Sequence, residues 1–476
     1  MSAEKSESQG TLVACQNSQG VAIRAGVLRV SRHFAVFEVY SPGLVLRASE
    51  VLSEFRIMAG ERTLYSGRAV VRSLVSTGLV TVCDVGLDEG SWLDIEFNAD
   101  MLGNGKLREQ FAAFIADWQR LYQISTDYKV IVADMQTYFT QMRLWLDQVE
   151  LGIRSTPSGD RSRLEEQVTE ELAKSIIPCV DVLFEKFETV AKTLDENLLP
   201  AHRSYMRRQL HPLVLCSPFA YRTFQKPLGY AGDYEMVNMI LRNGYEGGSL
   251  FAKVVNTWFL RQPPAAAHRN RISRLVDTLR TEVLRVRRQS RETRILSVAC
   301  GPAQEIQRFL SVDPLSDETR ITLLDFNEET LRYARTGMDA IKARHGRHAS
   351  IEYVRKSVQQ ILKESSRTIQ QAPDKGYDFV YCAGLFDYLT DAICHRLMNV
   401  MYEWLAPGGL LVATNVEPSN PLRNGMEHLL DWNLIYRTAA HMRRLAPTSA
   451  PPDAVVVHSE DTGVNLFLEA RKPDHA

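Results

Sequence analysis

Arg294-Ile295-Leu296-Ser297-Val298-Ala299-Cys300-Gly301-Pro302-Ala303-Gln304-Glu305 decides the fold of this chain, together with Ile321-Thr322-Leu323-Leu324-Asp325-Phe326-Asn327 downstream. The first stretch is an apolar run that breaks at Gly-Pro into a helical pattern. The second is an apolar run ending in a carboxylate 24 residues after Gly301. This layout predicts two parallel strands of an α/β domain that grips a nucleoside: backbone N–H groups and a helix N-terminus face one end of the ligand, and the acid accepts ribose hydroxyls. Gly301 permits close backbone approach. The loop lacks G-x-G-x-x-G, with Cys300, Ala303 and Gln304 where further glycines would sit, which disfavours a dinucleotide. Read alone, the pattern also fits an ordinary βα turn.

The stretches around it continue the pattern. Tyr377-Asp378-Phe379-Val380-Tyr381-Cys382-Ala383-Gly384-Leu385 reads as another strand, Trp404-Leu405-Ala406-Pro407-Gly408-Gly409-Leu410-Leu411-Val412 as a turn and strand, and Ile351 to Val358 as a strand between them. Ala454 to His458 and Asn465 to Arg471, joined by Glu460-Asp461-Thr462-Gly463, read as a terminal hairpin. In this order they resemble a class I S-adenosylmethionine-dependent methyltransferase. The resemblance implies a Rossmann-like seven-stranded domain over residues 291–476, with S-adenosylmethionine as cofactor. It assigns Ser297, Ala299, Cys300, Gly301 and Glu305 to the methionine side, and Asp325 to the ribose, with Phe326 and Asn327 beside it. Lys356, Ser357 and Val358 fall at the adenine edge, and Cys382, Ala383 and Gly384 form the floor under the methyl group. Without a nearby His or second Cys, Cys300 reads as a small packing residue and not a nucleophile.

Composition limits the partners. The 476 residues allow two to four domains, and 45% hydrophobic residues suffice for proper cores. A formal net charge of -1 gives no global field to attract nucleic acid or an anionic membrane. The seven cysteines form no C-x-x-C pair and no cluster with histidine, which argues against zinc and against a disulfide framework. No signal-peptide core or run of 18 apolar residues occurs, and a cytoplasmic location is expected.

After a polar tail over 1–11, residues 12–100 alternate apolar and polar in short runs such as Ala35-Val36-Phe37-Glu38-Val39, which predicts a small β-barrel. It resembles a PilZ-type barrel, a module that often binds cyclic di-GMP through an Arg-x-x-x-Arg arm and an Asp/Asn-x-Ser-x-x-Gly turn. Here Arg29 and Arg32 are three apart, and Arg47 and Leu52 stand at the outer positions around Ser49. The phosphate-gripping forks are therefore missing, and cyclic di-GMP binding is not expected. Docking or dimerisation is the alternative use of such a barrel.

From 105 to 290 the period becomes helical. Phe111, Phe114, Trp118, Leu121 and Tyr122, and then Met135, Phe139, Met142, Trp145 and Val149, make aromatic stripes suited to a core or a homodimer contact. Within this connector and substrate-cap region, Pro218-Phe219-Ala220-Tyr221-Arg222-Thr223-Phe224-Gln225-Lys226-Pro227-Leu228-Gly229-Tyr230-Ala231-Gly232-Asp233-Tyr234-Glu235 is too broken for a regular helix and too aromatic for a solvated linker. It resembles the signature of bacterial enzymes that make 3-hydroxypalmitic acid methyl ester, an extracellular signal. That resemblance implies that Tyr230, Asp233 and Tyr234 close over the cofactor and position the acceptor, and it suggests a fatty carboxylate as methyl acceptor. The plainer reading is an Ω-loop that packs helices onto the sheet. A carboxylate acceptor is already ionised at neutral pH and needs a cation to hold it, for which Arg222 and Lys226 are at hand. A hydroxyl acceptor would need a base, for which His428, near Asp431, is the candidate, although that spacing also fits an exposed helix face. Protein or peptide methylation with recruitment through the barrel, and a non-catalytic module of cyclic di-GMP signalling, are the other function classes; intact Gly301 and Asp325 speak against the last.

Overall fold

The computed structural model describes residues 11–39, 45–59, 62–76, 80–92, 123–156, 160–196, 198–365 and 376–474, with scattered positions between 105 and 115. Phe114, Trp118, Leu121 and Tyr122 lie outside the described residues, as do most of the tail and residues 93–100.

Six strands close an N-terminal barrel: β1 (Thr11–Gln16), β2 (Ala22–Val30), β3 (Phe34–Val39), β4 (Val51–Ala59), β5 (Arg62–Ser76) and β6 (Thr81–Leu87), in the order β1-β2-β3-β6-β5-β4. The two-residue period sends Phe37 and Val39 of β3 and Cys83 and Val85 of β6 into one core with Phe55 and Tyr65. Closure leaves no free sheet edge.

The central region is a set of packed helices: α1 (Thr126–Arg154), α2 (Arg161–Ala191), α3 (Leu199–Val214), α4 (Pro218–Gln225), α5 (Tyr234–Arg242), α6 (Leu250–Arg261) and α7 (Pro263–Arg287). On α1 the buried face runs through Tyr128, Met135, Phe139, Met142 and Leu146, and meets Phe184, Phe187 and Trp258 from α2 and α6. Trp145 does not join that core. The 3.6-residue turn that buries Met142 and Leu146 leaves it on the outer face, half exposed.

The helix α7 leads into a seven-stranded sheet made of β7 (Thr293–Val298), β8 (Thr319–Asp325), β9 (Ser350–Arg355), β10 (Tyr377–Cys382), β11 (Leu405–Val416), β12 (Val455–Ser459) and β13 (Asn465–Arg471), ordered β12-β13-β11-β10-β7-β8-β9. β13 runs antiparallel to both its neighbours, and the other pairings are parallel. The helices α8 (Gln304–Val312), α9 (Glu328–His345), α10 (Val358–Ser365) and α11 (Asp391–Glu403) connect the strands, and apolar layers cover both faces. Strand order reverses between β7 and β10, and such a switch point opens a crevice at the carboxyl ends of the strands.

Candidate active site

β7 ends in a turn with three left-handed residues, Ala299 (φ 55°), Gly301 (54°) and Ala303 (48°), before α8 begins. Left-handed alanine costs about 1–2 kcal/mol relative to its ordinary conformations, so neighbouring structure must hold this turn. It does: the Cys300 N–H donates to the Leu324 carbonyl at 3.0 Å, and the Gly301 N–H donates to Asp325 Oδ2 at 3.1 Å. Asp325 Oδ1 accepts from the Asn327 N–H at 2.9 Å. The carboxylate is only 4% exposed, and burial pushes its pKa up, countered by those N–H groups and by the guanidinium of Arg47. A Cβ placed on Gly301 would meet no protein atom within 4 Å, so the space over the turn is open to a ligand.

A cleft opens at this point. Ser297, Ala299, Cys300, Gly301, Glu305, Asp325, Phe326, Ala383 and Gly384 all line it. The Glu305 carboxylate accepts from the Tyr381 hydroxyl at 2.7 Å, and burial raises its pKa. Cys382, fully buried, lies one residue below the floor formed by Ala383 and Gly384. Four predicted cofactor residues stand behind the wall. Asn327 caps α9, accepting from the Thr330 N–H at 3.0 Å. The Lys356 backbone N–H donates to the Asp325 carbonyl at 2.9 Å while its ammonium pairs with Glu364. The Ser357 hydroxyl accepts from the Gln360 N–H at 3.2 Å, and Val358 is buried in the sheet's apolar layer. These groups support the cleft without lining it.

The aromatic segment is more regular than its composition suggests. α4 stops at Lys226 and α5 starts from Asp233, whose side chain accepts from the Met236 N–H at 2.9 Å. Arg222 Nε donates to both Asp233 oxygens, at 2.9 and 3.0 Å. Arg222 and Asp233 thus spend their charges on each other and hold the turn in place. Tyr230 and Tyr234 do line the cleft. The Tyr230 ring lies 5.3 Å from that of Phe326, and the Tyr234 hydroxyl donates to Glu329 at 2.8 Å. Gly232, with φ 75°, allows the closest approach: a Cβ there would sit 2.6 Å from the Tyr388 hydroxyl. Lys226 does not reach the cleft; it is buried, 4.0 Å from Asp431, and burial lowers its pKa to about 8. His428 is not exposed either, because it is sealed in the helical core with Nδ1 2.8 Å from the Tyr128 hydroxyl.

Other cleft residues escape a sequence reading. Arg47 and Ala48 come from the barrel, and the Arg47 guanidinium lies 4.4 Å over the Phe326 ring. The Ala48 N–H donates to the Tyr388 carbonyl at 3.0 Å, and the Val51 N–H to the Gly229 carbonyl at 2.7 Å, so the barrel is bonded to both edges of the cleft. His268 and Arg271, three residues apart on α7, face the floor. Arg271 is 5% exposed, its Nε has no hydrogen-bond partner, and one of its terminal nitrogens stands 3.0 Å from where a Gly384 Cβ would be. Burial lowers its pKa, countered by the charges of Asp387 and Glu305. The sequence does not mark this pair out, because α7 carries many arginines and only packing shows which one is turned inward.

Residues 295–409 match the sequence profile of a methyltransferase domain. No curated protein sequence matches the chain. Among solved structures it is similar to a possible exported protein from Bordetella parapertussis (17% identity, 63% of this chain and 97% of that one, TM-score 0.39). It is also similar to the N-methyltransferase NodS from Bradyrhizobium japonicum WM9 bound to S-adenosyl-L-homocysteine (17% identity, 50% and 98%, TM-score 0.29) and to an O-methyltransferase family protein from Burkholderia thailandensis (13% identity, 60% and 75%, TM-score 0.30). Over residues 295–409 the C-terminal unit thus resembles a methyltransferase domain. The cleft brings together the buried Asp325 and Glu305 carboxylates, the buried Arg271 guanidinium and the open space over the Gly301 turn.

Proposed function

We propose that this protein transfers the methyl group of S-adenosylmethionine to the carboxylate of a small lipid-like acceptor such as a 3-hydroxy fatty acid, giving a methyl ester signal. Bound S-adenosylmethionine supplies a sulfonium methyl already activated toward a nucleophile. The chain then has to align the acceptor and exclude water, more than move protons. The observation that carries this reading is the cleft itself: the buried Asp325 and the buried Arg271 line it together with a floor of Ala383 and Gly384, walled by Tyr230, Tyr234 and Tyr388. Carboxylates have reference pKa values near 4, so the acceptor arrives ionised and needs no base. Arg47 and Arg271 are the cations on the described wall, and Arg271 is the one beside the floor. The tyrosines keep their protons, since burial raises the pKa of Tyr230, Tyr234 and Tyr388, and they serve as walls, with the Tyr234 hydroxyl already donating to Glu329.

Methylation of a protein or peptide is the second reading, favoured by the docked barrel as a recruiting element. A cleft bridged by barrel and tyrosine loop suits a small acceptor better. The described cysteines are all free, and no described helix is long and apolar enough to cross a membrane. Incubation with methyl-labelled S-adenosylmethionine and a lysate extract of small molecules, followed by separation into organic extract and precipitated protein, decides the matter. Label in the organic phase supports the lipid acceptor. Label on protein supports the second reading, and absence of turnover with intact cofactor binding supports a signalling module.

A further inference from the structure

Past the Gly384 floor the cleft continues as a polar compartment between α7 and the ends of β11 and β13. Gly384 is tied to β11, its N–H donating to the Thr414 hydroxyl at 2.9 Å. Two residues further along that strand, the Val416 N–H donates to Asp387 Oδ1 at 2.6 Å, and Val416 pairs across the sheet with Asn465, the first residue of β13. Asp387, Val416 and Asn465 thus form one row, and all three line the cleft together with Arg271 and His268. Glu460 fixes the far corner. Its carboxylate accepts from the Asn465 N–H at 3.1 Å and from the Asn270 amide at 2.8 Å, which brings α7 beside the start of β13.

Asn465 is the unusual member of this group. Its backbone N–H and carbonyl are both bonded to Glu460, yet neither atom of its side-chain amide has a hydrogen-bond partner among the described residues, and it is only 1% exposed. A buried donor and a buried acceptor left unpaired are costly, and folded proteins carry few of them. Arg271 Nε is unpaired as well. His268 Nδ1 bonds the Pro264 carbonyl at 2.9 Å, and because a carbonyl can only accept, the proton sits on Nδ1 and Nε2 is left as an acceptor. The compartment therefore offers donors from Asn465 and Arg271, and acceptors from Asn465, His268 and Asp387. An apolar group would answer none of them.

We propose that this compartment recognises an amide beside the reacting carboxylate, so that the methyl acceptor is an N-acyl amino acid. In an extended residue the N–H and the carboxyl oxygen point to the same side, as they do where two facing residues of an antiparallel pair exchange both bonds. The Asn465 amide matches that pair: Oδ1 accepts from the acceptor's N–H, Nδ2 donates to one carboxyl oxygen, and Arg271 holds the carboxylate beside Gly384. A planar amide keeps its N–H in one direction, which suits a side chain whose own backbone is pinned on both sides. In the transfer, a carboxylate oxygen gives an electron pair to the sulfonium methyl, the carbon–sulfur bond breaks, and a methyl ester and a thioether form with no proton moved. The inference rests on the carboxylate methyl-transfer reading and names what stands next to the carboxyl group. Asn465 is a specificity residue and takes no part in the bond exchange.

The test titrates the full-length protein with three small acids followed by their own NMR signals: N-acetylglycine, acetoxyacetate, in which an ester oxygen replaces the N–H, and glycolate, which offers a hydroxyl. Wild type is expected to bind N-acetylglycine about fivefold or more tightly than either of the others, since a site with a buried acceptor rejects an analogue that lacks the matching donor. Asn465→Leu, in a preparation that still binds S-adenosylmethionine, is expected to lose that preference. The proposal is overturned if wild type binds none of the three, if it binds acetoxyacetate as well as N-acetylglycine, or if Asn465→Leu keeps the preference. Glycolate bound as well as N-acetylglycine overturns the amide in favour of a hydroxy acid. The wild-type comparison decides by itself where the variant does not fold. It is run without cofactor and with S-adenosyl-L-homocysteine, so failure of the wild type to bind S-adenosylmethionine strikes the methyl-transfer reading, while the cofactor-free titration still judges the compartment.

Discussion

Asp325 does two things with one carboxylate: its oxygens hold the Gly301 and Asn327 N–H groups, and it faces the cleft. Each oxygen keeps capacity for another hydrogen bond, which is what a vicinal diol requires. Asp325→Ala is expected to weaken S-adenosylmethionine binding by about 1–3 kcal/mol, the usual cost of losing one partner of a charge-assisted hydrogen bond. Calorimetry showing unchanged affinity would remove the ribose assignment. The place of Asp325 on the cleft was legible because it ends an apolar run at the carboxyl end of a strand. Arg271 was not, since Arg269, Arg271 and Arg274 share one helix and only tertiary packing reveals which of them is turned toward the sheet. Arg222 misled for the opposite reason: its neighbour in space, Asp233, is eleven residues away and absorbs its charge.

At the scale of elements, the strands were readable from apolar runs and their closing turns, whereas α4 and α5 were hidden by their own caps. Both end in left-handed non-glycine residues, Lys226 and Asn243, so no C-terminal glycine announced them. How α3 is fixed beneath them yields a prediction. His211 sits between the Phe224 ring, 4.4 Å away, and the Leu429 carbonyl, to which its Nε2 bonds at 2.8 Å, so it joins α3 to α4 and to the short helix α12 (Arg423–Leu429). Burial lowers its pKa to about 4. Between that value and the ordinary 6.5 the unfolded chain binds a proton that the folded one refuses. Its contribution is therefore present above pH 6.5 and lost as pH falls toward 4, by at most about 1.4 kcal/mol per pH unit. Chemical unfolding of wild type and His211→Gln over that window should show the wild type losing more stability on acidification. Parallel curves would mean that His211 is already solvated or protonated in the fold.

At the scale of the molecule, the barrel is a wall of the cleft, not an appendage. The segment from Arg47 to Leu52 is bonded to Tyr388, to Gly229 and, through the Ser49 hydroxyl, to the Asn433 carbonyl at 2.8 Å. Its internal support is the buried Glu50, which accepts from the Arg47 N–H at 2.8 Å and from Ser18. Arg47 then reaches across to Phe326, one residue past Asp325, with its Nε unpaired. A ligand gripped between Arg47 and Asp325 must stabilise the barrel's contact with the sheet, because anything that binds the docked state alone adds RT ln(1 + [L]/Kd), about 2.7 kcal/mol at a hundredfold excess over Kd. Saturating S-adenosylmethionine should therefore slow hydrogen exchange at the amides of Ala48, Ser49 and Val51, by up to roughly a hundredfold under those conditions if undocking is the opening that exposes them. Arg47→Ala should weaken cofactor binding and shrink that protection while leaving exchange in the barrel core, at Phe37 and Val85, unchanged. Cofactor that protects the turn at Gly301 but leaves residues 48–51 untouched would show that barrel and cofactor site act independently.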